Sequence, residues 1–261
     1  MRADSPALLR VEHITRRFGG LVAVNNVSFS VRSGQIKGLI GPNGAGKTTC
    51  FNLIAGVVAP SSGKVLLEGH AVEHMPPHLR VRQGLARTFQ NLQIFRDMTV
   101  LENVMLGLQP RLPSGFLGSL LRSSANRAQE RRATDESLEA LARVGLADRA
   151  YRSAGNLSFG ESKLLEIARA LVAQPRLLLL DEPMAGLPHE SVVQVERVVR
   201  ELRDTGITVL LVEHNMGLVM RLCDEIAVLD HGELIAEGSP EAVRSNPDVI
   251  RAYLGEDAVH A

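Results

Sequence analysis

Nine residues have the types and spacing to hold phosphate: Gly41-Pro42-Asn43-Gly44-Ala45-Gly46-Lys47-Thr48-Thr49. They fit the pattern G-x-x-x-x-G-K-[ST]. Gly41, Gly44 and Gly46 admit turns that side chains forbid, so successive backbone N–H groups can point at phosphate oxygens beside a helix N-terminus. Asn43 and Ala45 complete the loop. Lys47 would place a point charge on the outer phosphates, and the Thr48 hydroxyl, followed by Thr49, would reach Mg²⁺. The chain has only four lysines, and one of them falls at the motif's lysine position. A second chemistry-bearing group is Asp181-Glu182, two carboxylates closing the apolar run Leu177-Leu178-Leu179-Leu180. Asp181 suits a metal held through water, and Glu182 suits polarising an attacking water. Ser158-Phe159-Gly160 opens a helical pattern and offers a hydroxyl and a helix N-terminus to an anion; a plain helix cap reads equally well. Gln90 could sense metal and water or be an ordinary surface amide. His214, directly after an apolar run, reads as structural or as a ligand at the edge where parallel sheets bind.

These residues need elements to carry them. Ile36–Ile40 predicts a buried strand into the glycine loop, and Thr48–Val58 a helix with Phe51, Ile54, Ala55 and Val58 on one face. Leu8–Ile14 predicts a strand, with Phe18 in a polar loop after it. Val27, Phe29 and Val31 alternate with polar residues, as in a half-buried strand. Ser33-Gly34 and Pro60–Gly63 mark turns, the second leading to a strand at 64–68. From about Gln90 the pattern turns helical: Val100–Leu108, a breaker-rich loop at 109–115 with a small apolar island at 116–121, and Asn126–Val144. After Ser158, Leu164, Ile167, Ala168 and Leu171 form one stripe, with Glu166 and Arg169 opposite. Leu177–Leu180 reads as a parallel strand buried on both faces. A helix over 189–204, strands at 207–212, 225–229 and 233–236, and two short helices within 240–254 complete the order: α/β, helical insert, α/β.

Composition narrows the function. The 261 residues carry 29 basic and 29 acidic side chains, and no basic stripe suggests a nucleic-acid partner. Cys50 and Cys223 lie far apart and outside any metal-ligand spacing, as buried thiols of a reducing compartment do. The first residues lack the apolar core of a signal peptide, and no apolar run approaches the ~20 residues of a membrane helix. A soluble chain is expected, with any membrane role supplied by partners.

In order along the chain, the 41–49 loop, Gln90, Leu157–Lys163, Asp181-Glu182, Ala185-Gly186-Leu187 and His214 resemble the motifs of ATP-binding cassette ATPases. The resemblance spans essentially the whole chain. Residues 17–24, 87–100 and 246–256, with the insert near 109–125, are similar to one branch, the ATPase subunits of branched-chain amino acid importers. The resemblance implies a P-loop α/β core with an antiparallel β portion near the N-terminus. Residues 1–90 and 176–261 would form the nucleotide-binding core, and 91–175 a helical subdomain. ATP and Mg²⁺ would be the cofactors. Phe18 would stack on adenine, Glu182 would act as general base, and His214 would contact the γ-phosphate. Thr48, Gln90 and Asp181 would hold the metal. Two ATPase subunits would close head to tail, Ser158 and Gly160 of one facing ATP on the other. Two membrane permease subunits, and through them an external substrate-binding protein, would be partners, with this chain peripheral on the cytoplasmic face.

Two departures from the family pattern stand out. The segment Leu157–Glu161 carries Phe159 and Glu161 where Gly and Gln are usual. Pro188 replaces the Asp or Asn after Leu187, so a contact between the two ATP sites is in question and a heteromeric ATPase pair is favoured over a homodimer. The bland reading is that Pro188 starts the following helix. Competing assignments are another transporter assembly, for lipopolysaccharide extraction or amide and urea uptake, and a cytosolic cassette ATPase outside transport.

Overall fold

The computed structural model describes residues 7–88, 93–111 and 124–257. In chain order the strands and helices are β1 (Ala7–Phe18), β2 (Leu21–Arg32), β3 (Ile36–Ile40), α1 (Lys47–Ala55), β4 (Ser62–Leu67), β5 (His70–Ala71), α2 (Pro77–Arg82), β6 (Leu85–Arg87) and α3 (Val100–Met105). Then come α4 (Ser124–Arg143), α5 (Phe159–Leu171), β7 (Leu177–Asp181), α6 (His189–Asp204), β8 (Thr208–Val212), α7 (Met216–Leu222), β9 (Glu225–Asp230), β10 (Glu233–Gly238), α8 (Pro240–Arg244) and α9 (Pro247–Asp257). One sheet is antiparallel in the order β2-β1-β4-β5; the other runs β10-β9-β3-β8-β7-β6, parallel except for β10.

The apolar strands β3, β7 and β8 are buried along their whole length because each faces two cores. Ile36, Ile40, Leu178, Leu180, Val209 and Leu211 point to the core shared with α3–α7. Leu39, Leu177, Leu179, Leu210 and Val212 point to the core shared with α1 and the antiparallel sheet. The period of two thus accounts for continuous apolar runs, and each buried leucine contributes roughly 1.5–3 kcal/mol. α3, α4 and α5 pack on one another, and their buried residues run without a break into the layer beneath the six-stranded sheet. Lys37 is the exception on β3. It is fully buried, with Nζ bonded to Ser30 O, to Glu225 at 3.1 Å and to Glu237, so its charge is met from β9 and β10.

Several expectations are corrected. The helix after the glycine loop ends at Ala55 rather than Val58, because Gly56 turns left-handed (φ 79°) and its N–H returns to Asn52 and Leu53 carbonyls. Phe18 closes β1 instead of lying in a loop: β1 pairs with β2 as far as Phe18 opposite Leu21, so the hairpin ladder extends the strand beyond its apolar stretch. The helix at 100–108 stays α only to Met105 and tightens into a 3₁₀ turn through Arg111, which contains Pro110. Glu166, opposite the apolar stripe of its helix, is buried as well. The stretch 112–123, including the apolar island, lies outside the described residues.

α1, which carries the glycine loop, is tethered at its far end by Arg80 of α2. Arg80 is fully buried; its guanidinium donates to the carbonyls of Leu53 (2.8 Å), Ile54 (2.6 Å), Met75 (2.8 Å) and Glu73 (3.0 Å). Two of these are carbonyls of the last turn of α1, where the regular helical donors run out; Leu53 O shares the Gly56 N–H with Asn52 O. Burial lowers the Arg80 pKa to about 10, so it stays charged at neutral pH. Arg80→Met is expected to lower stability by about 3 kcal/mol, since it strands buried acceptors; urea unfolding of both proteins measures it.

Candidate functional site

The glycine loop joins β3 to α1 and is held by close backbone approach. Gly46 adopts φ 95°, and a Cβ there would lie 2.5 Å from Ala23 O; one at Gly41 would lie 2.0 Å from Leu229 O. Gly232 N–H, in the β9–β10 turn, bonds Ala45 O at 3.1 Å, and Asn25 N–H bonds Gly232 O at 2.8 Å. The loop is thus wedged between the start of β2 and that turn. Lys47 is buried with Nζ on Gly41 O (2.6 Å) and Pro42 O (2.7 Å), folded onto its own loop. Cys50 follows in α1, and burial pushes its thiol up to about 12, as it does for Cys223.

A pocket of about 510 Å³ opens over this loop. Asn43, Gly44, Ala45, Gly46, Lys47, Thr48 and Thr49 line it on one side, Glu182 and His214 on the other, and Leu21, Val22, Ala23 and His231 along the rim. The sheet brings these together. β7 and β8 are parallel and in register, with Asp181 opposite Val212, and the Glu182 N–H continues the ladder to Val212 O at 3.0 Å. Residues following both strands therefore emerge beside the loop that follows β3. Glu182 sits at φ 47°, a left-handed conformation uncommon for a non-glycine residue, and its Oε1 lies 2.5 Å from His214 Nε2. The ring is half-exposed and the carboxylate largely covered. Beneath them, buried Glu213 accepts the Met184 N–H (2.9 Å) and the His214 N–H (3.3 Å), which fixes the backbone on both sides of the Glu182–His214 contact.

Asp181 is buried, and Arg87 Nη2 donates to its Oδ2 at 2.8 Å. Phe18 stands at the hairpin tip, 45% exposed, with the Arg16 guanidinium 4.5 Å from its ring centroid on one side. Ser158 and Gly160 do not line the pocket. Ser158 caps α5 through a full capping box: Glu161 N–H to Ser158 Oγ at 3.2 Å, and Ser158 N–H to Glu161 Oε2 at 2.8 Å. Burial works against ionised Glu161, but these bonds and the charges of Arg149 and Arg152 outweigh it and hold its carboxyl below the usual range. Gly160 packs on α6, where a Cβ would meet Ser191 Oγ at 2.6 Å. Pro188 immediately precedes α6 and its carbonyl accepts the Val192 N–H at 3.1 Å, as a helix-starting residue does. Gln90 lies outside the described residues.

Three contributors escape sequence reading: Arg87 on Asp181, Glu213 beneath the site, and His231 at the rim. Arg87 carries no sequence signal of its own: it pairs with Leu179 in the parallel β6–β7 ladder, two residues before Asp181, and only that pairing brings it to the carboxylate. Burial raises the Glu213 pKa, only partly opposed by its two backbone donors. A carboxyl whose folded pKa is raised costs stability above that pKa and nothing below the ordinary carboxylate range. Glu213→Gln removes the charge and keeps one of the two acceptor oxygens, with the shorter bond from the Met184 N–H the one to preserve. It is expected to raise the urea midpoint at pH 8 and to match the parent at pH 4 and below.

Comparison with known proteins places this geometry. The ABC transporter family matches residues 24–185, and the family described as branched-chain amino acid ATP-binding cassette transporter matches 233–259. The high-affinity branched-chain amino acid transport ATP-binding protein LivG of Salmonella typhimurium is 46% identical over 253 residues, 97% of this chain and 99% of the relative. The lipopolysaccharide export system ATP-binding protein LptB of Escherichia coli is 36% identical, covering 96% of this chain and 98% of its own. A solved ATP-binding cassette of an ABC transporter in its ADP conformation superposes with a TM-score of 0.85 at 33% identity, over 96% of this chain and all of that one.

Proposed function

The chain belongs to the ABC transporter ATPases, and from that premise we propose that it powers uptake of branched-chain or related neutral amino acids through a membrane permease. The observation that carries this is the C-terminal match at 233–259 to the branched-chain amino acid family, joined to 46% end-to-end identity with LivG. The 36% identity with LptB gives the lipopolysaccharide reading less support. A cytosolic role on nucleic acid has none from the balanced charge.

As an ABC ATPase the chain binds nucleotide and hydrolyses ATP. In our reading the core is 1–90 with 176–261, and 91–175 is a helical unit facing the membrane partners. The wedged loop aims its amides at the phosphates, and Lys47 leaves the carbonyls of Gly41 and Pro42 to pair with them. Phe18 offers its open face to adenine. Thr48, Asp181 and Gln90 fit Mg²⁺, which prefers oxygen donors and when bound neutralises phosphate charge. Glu182 accepts the proton of the attacking water while His214 holds its Oε1. Ser158 and Gly160, away from this chain's own pocket, serve ATP on a second ATPase subunit. Gln90 links the site to the helices: just beyond it, Gln93 N–H is bonded by buried Glu166 at 3.1 Å and Gln93 O by Arg169 at 2.5 Å. Phe95 N–H and O are both taken by Asn103, at 2.9 and 3.0 Å. Motion at that segment therefore pulls on α5 and α3.

Two permease subunits and, through them, a substrate-binding protein complete the assembly. No helix among the described residues is long and apolar enough to cross a membrane, so these subunits would hold the chain on the cytoplasmic face. ATP favours the closed pair because it binds that state better than the open one.

Reconstitution with both permease subunits, a second ATPase and the binding protein tests the reading. Hydrolysis should rise with leucine, isoleucine or valine on the binding protein; a response to a different substrate class alone rejects it. In the same assembly Lys47→Ala should weaken ATP binding about 100-fold, whereas Glu182→Gln should leave it within about threefold and cut turnover by at least ~100-fold. Nucleotide titration and phosphate release separate the two, and equal loss of binding would refute this division. Pro188→Asn tests the heteromeric pair. It should raise the Hill coefficient for ATP if Pro188 breaks a contact between the sites; an unchanged coefficient leaves Pro188 as a helix start.

A further inference from the structure

Arg87 joins two elements of the candidate site that have no other side-chain tie of this kind among the described residues. It ends β6, parallel to β7, and its side chain is 13% exposed. Nη2 donates to Asp181 Oδ2 at 2.8 Å and Nη1 to Asn52 Oδ1 at 2.6 Å. The guanidinium carbon stands 5.0 Å from the centroid of the Phe51 ring. Phe51 and Asn52 belong to α1, the helix that begins at Lys47 and Thr48. One planar fork thus fixes the carboxylate at the end of β7 and the helix that carries the phosphate-binding side chains. Among the described residues, Asp181 Oδ1 receives no side-chain hydrogen bond, so the fork holds one carboxylate oxygen and leaves the other without a side-chain donor. Asp181 is buried, and without Arg87 its charge would stand unpaired. The Arg87 Nε is buried without a partner among the described residues, so the hydrogen bonds of the guanidinium run through its two terminal nitrogens.

We propose that Arg87 is a positioning residue for the metal carboxylate: it sets the orientation of Asp181 and locks it to α1, so that Asp181 and Thr48 keep a fixed separation before metal arrives. The inference rests on Asp181 and Thr48 being the metal-holding residues. Arginine is required because its fork meets two acceptors on separate elements at set angles, whereas lysine brings one mobile point charge.

The test uses the full chain with Arg87→Met, Arg87→Lys, Asn52→Leu and Asp181→Asn, each checked by circular dichroism to be folded at the assay temperature. ADP affinity is measured by calorimetry in EDTA and in Mg²⁺, and hydrolysis is followed against Mg²⁺ concentration at saturating ATP. Arg87→Met should bind ADP in EDTA within about twofold of the parent, yet need about tenfold more Mg²⁺ for half-maximal hydrolysis and lose most of the Mg²⁺-dependent gain in ADP affinity. Arg87→Lys and Asn52→Leu should fall between. Equal loss of affinity in EDTA and in Mg²⁺ would make Arg87 a mere support for the loop and overturn the proposal. So would an unchanged Mg²⁺ requirement in Arg87→Met while Asp181→Asn raises it. An unchanged requirement in Asp181→Asn would instead remove the metal assignment, and the inference with it.

Discussion

The in-register parallel pairing of β3, β8 and β7 is the constraint on which the site depends. Because all three strands are buried on both faces, their register is set twice, once by each core. A slip of one residue would exchange the leucines of the two layers and move every strand end. With the register fixed, the loop after Ile40, the carboxylates at Asp181 and Glu182, and the pair Glu213-His214 must emerge at one edge of the sheet. The pocket follows from where three strands stop.

Several charged groups of the fold are buried more deeply than their types would suggest. Lys37, Arg80, Asp181, Glu166 and Glu213 are all largely removed from water. Each has an answer: carboxylates for Lys37, carbonyls for Arg80, a guanidinium for Asp181, backbone donors for Glu166 and Glu213. Replacing a whole buried ion pair by apolar residues of similar volume is often neutral or stabilising, whereas removing one partner alone is costly. Their presence here is better explained by direction than by strength. A buried polar contact has one satisfactory geometry, and these contacts sit where strand, helix and loop must keep a fixed relation.

Much of this was legible in the sequence where one pattern had one meaning. The strands at 177–181 and 208–212, the helix at 189–204 and the glycine loop followed from apolar runs, periodicity and spacing. Boundaries that depend on a single dihedral or on a partner strand were not legible. Gly56 stops α1 before its apolar pattern ends, and pairing with β2 carries β1 on to Phe18. α2 and α7, of six and seven residues, are too short for periodicity to register. Glu166 lies opposite the apolar stripe of its helix, yet it is buried, with the backbone of Gln93 bonded to it. Arg87 illustrates the general limit: its partners, Asn52 and Asp181, are distant in sequence, and only the β6–β7 register brings them within reach.

The wedging of the glycine loop bears on the thermodynamics of ligand capture. Fixing a flexible backbone costs roughly 1–2 kcal/mol of entropy per residue. Here Gly41 and Gly46 are already pressed against Leu229 O and Ala23 O, and Ala45 O is bonded to Gly232 N–H. That ordering is complete when the chain folds and does not recur at each encounter. Ligand capture then draws on donors that are preorganised, with only side chains such as Lys47 left to reorient, so the entropic penalty is confined to a few rotamers rather than spread over a loop.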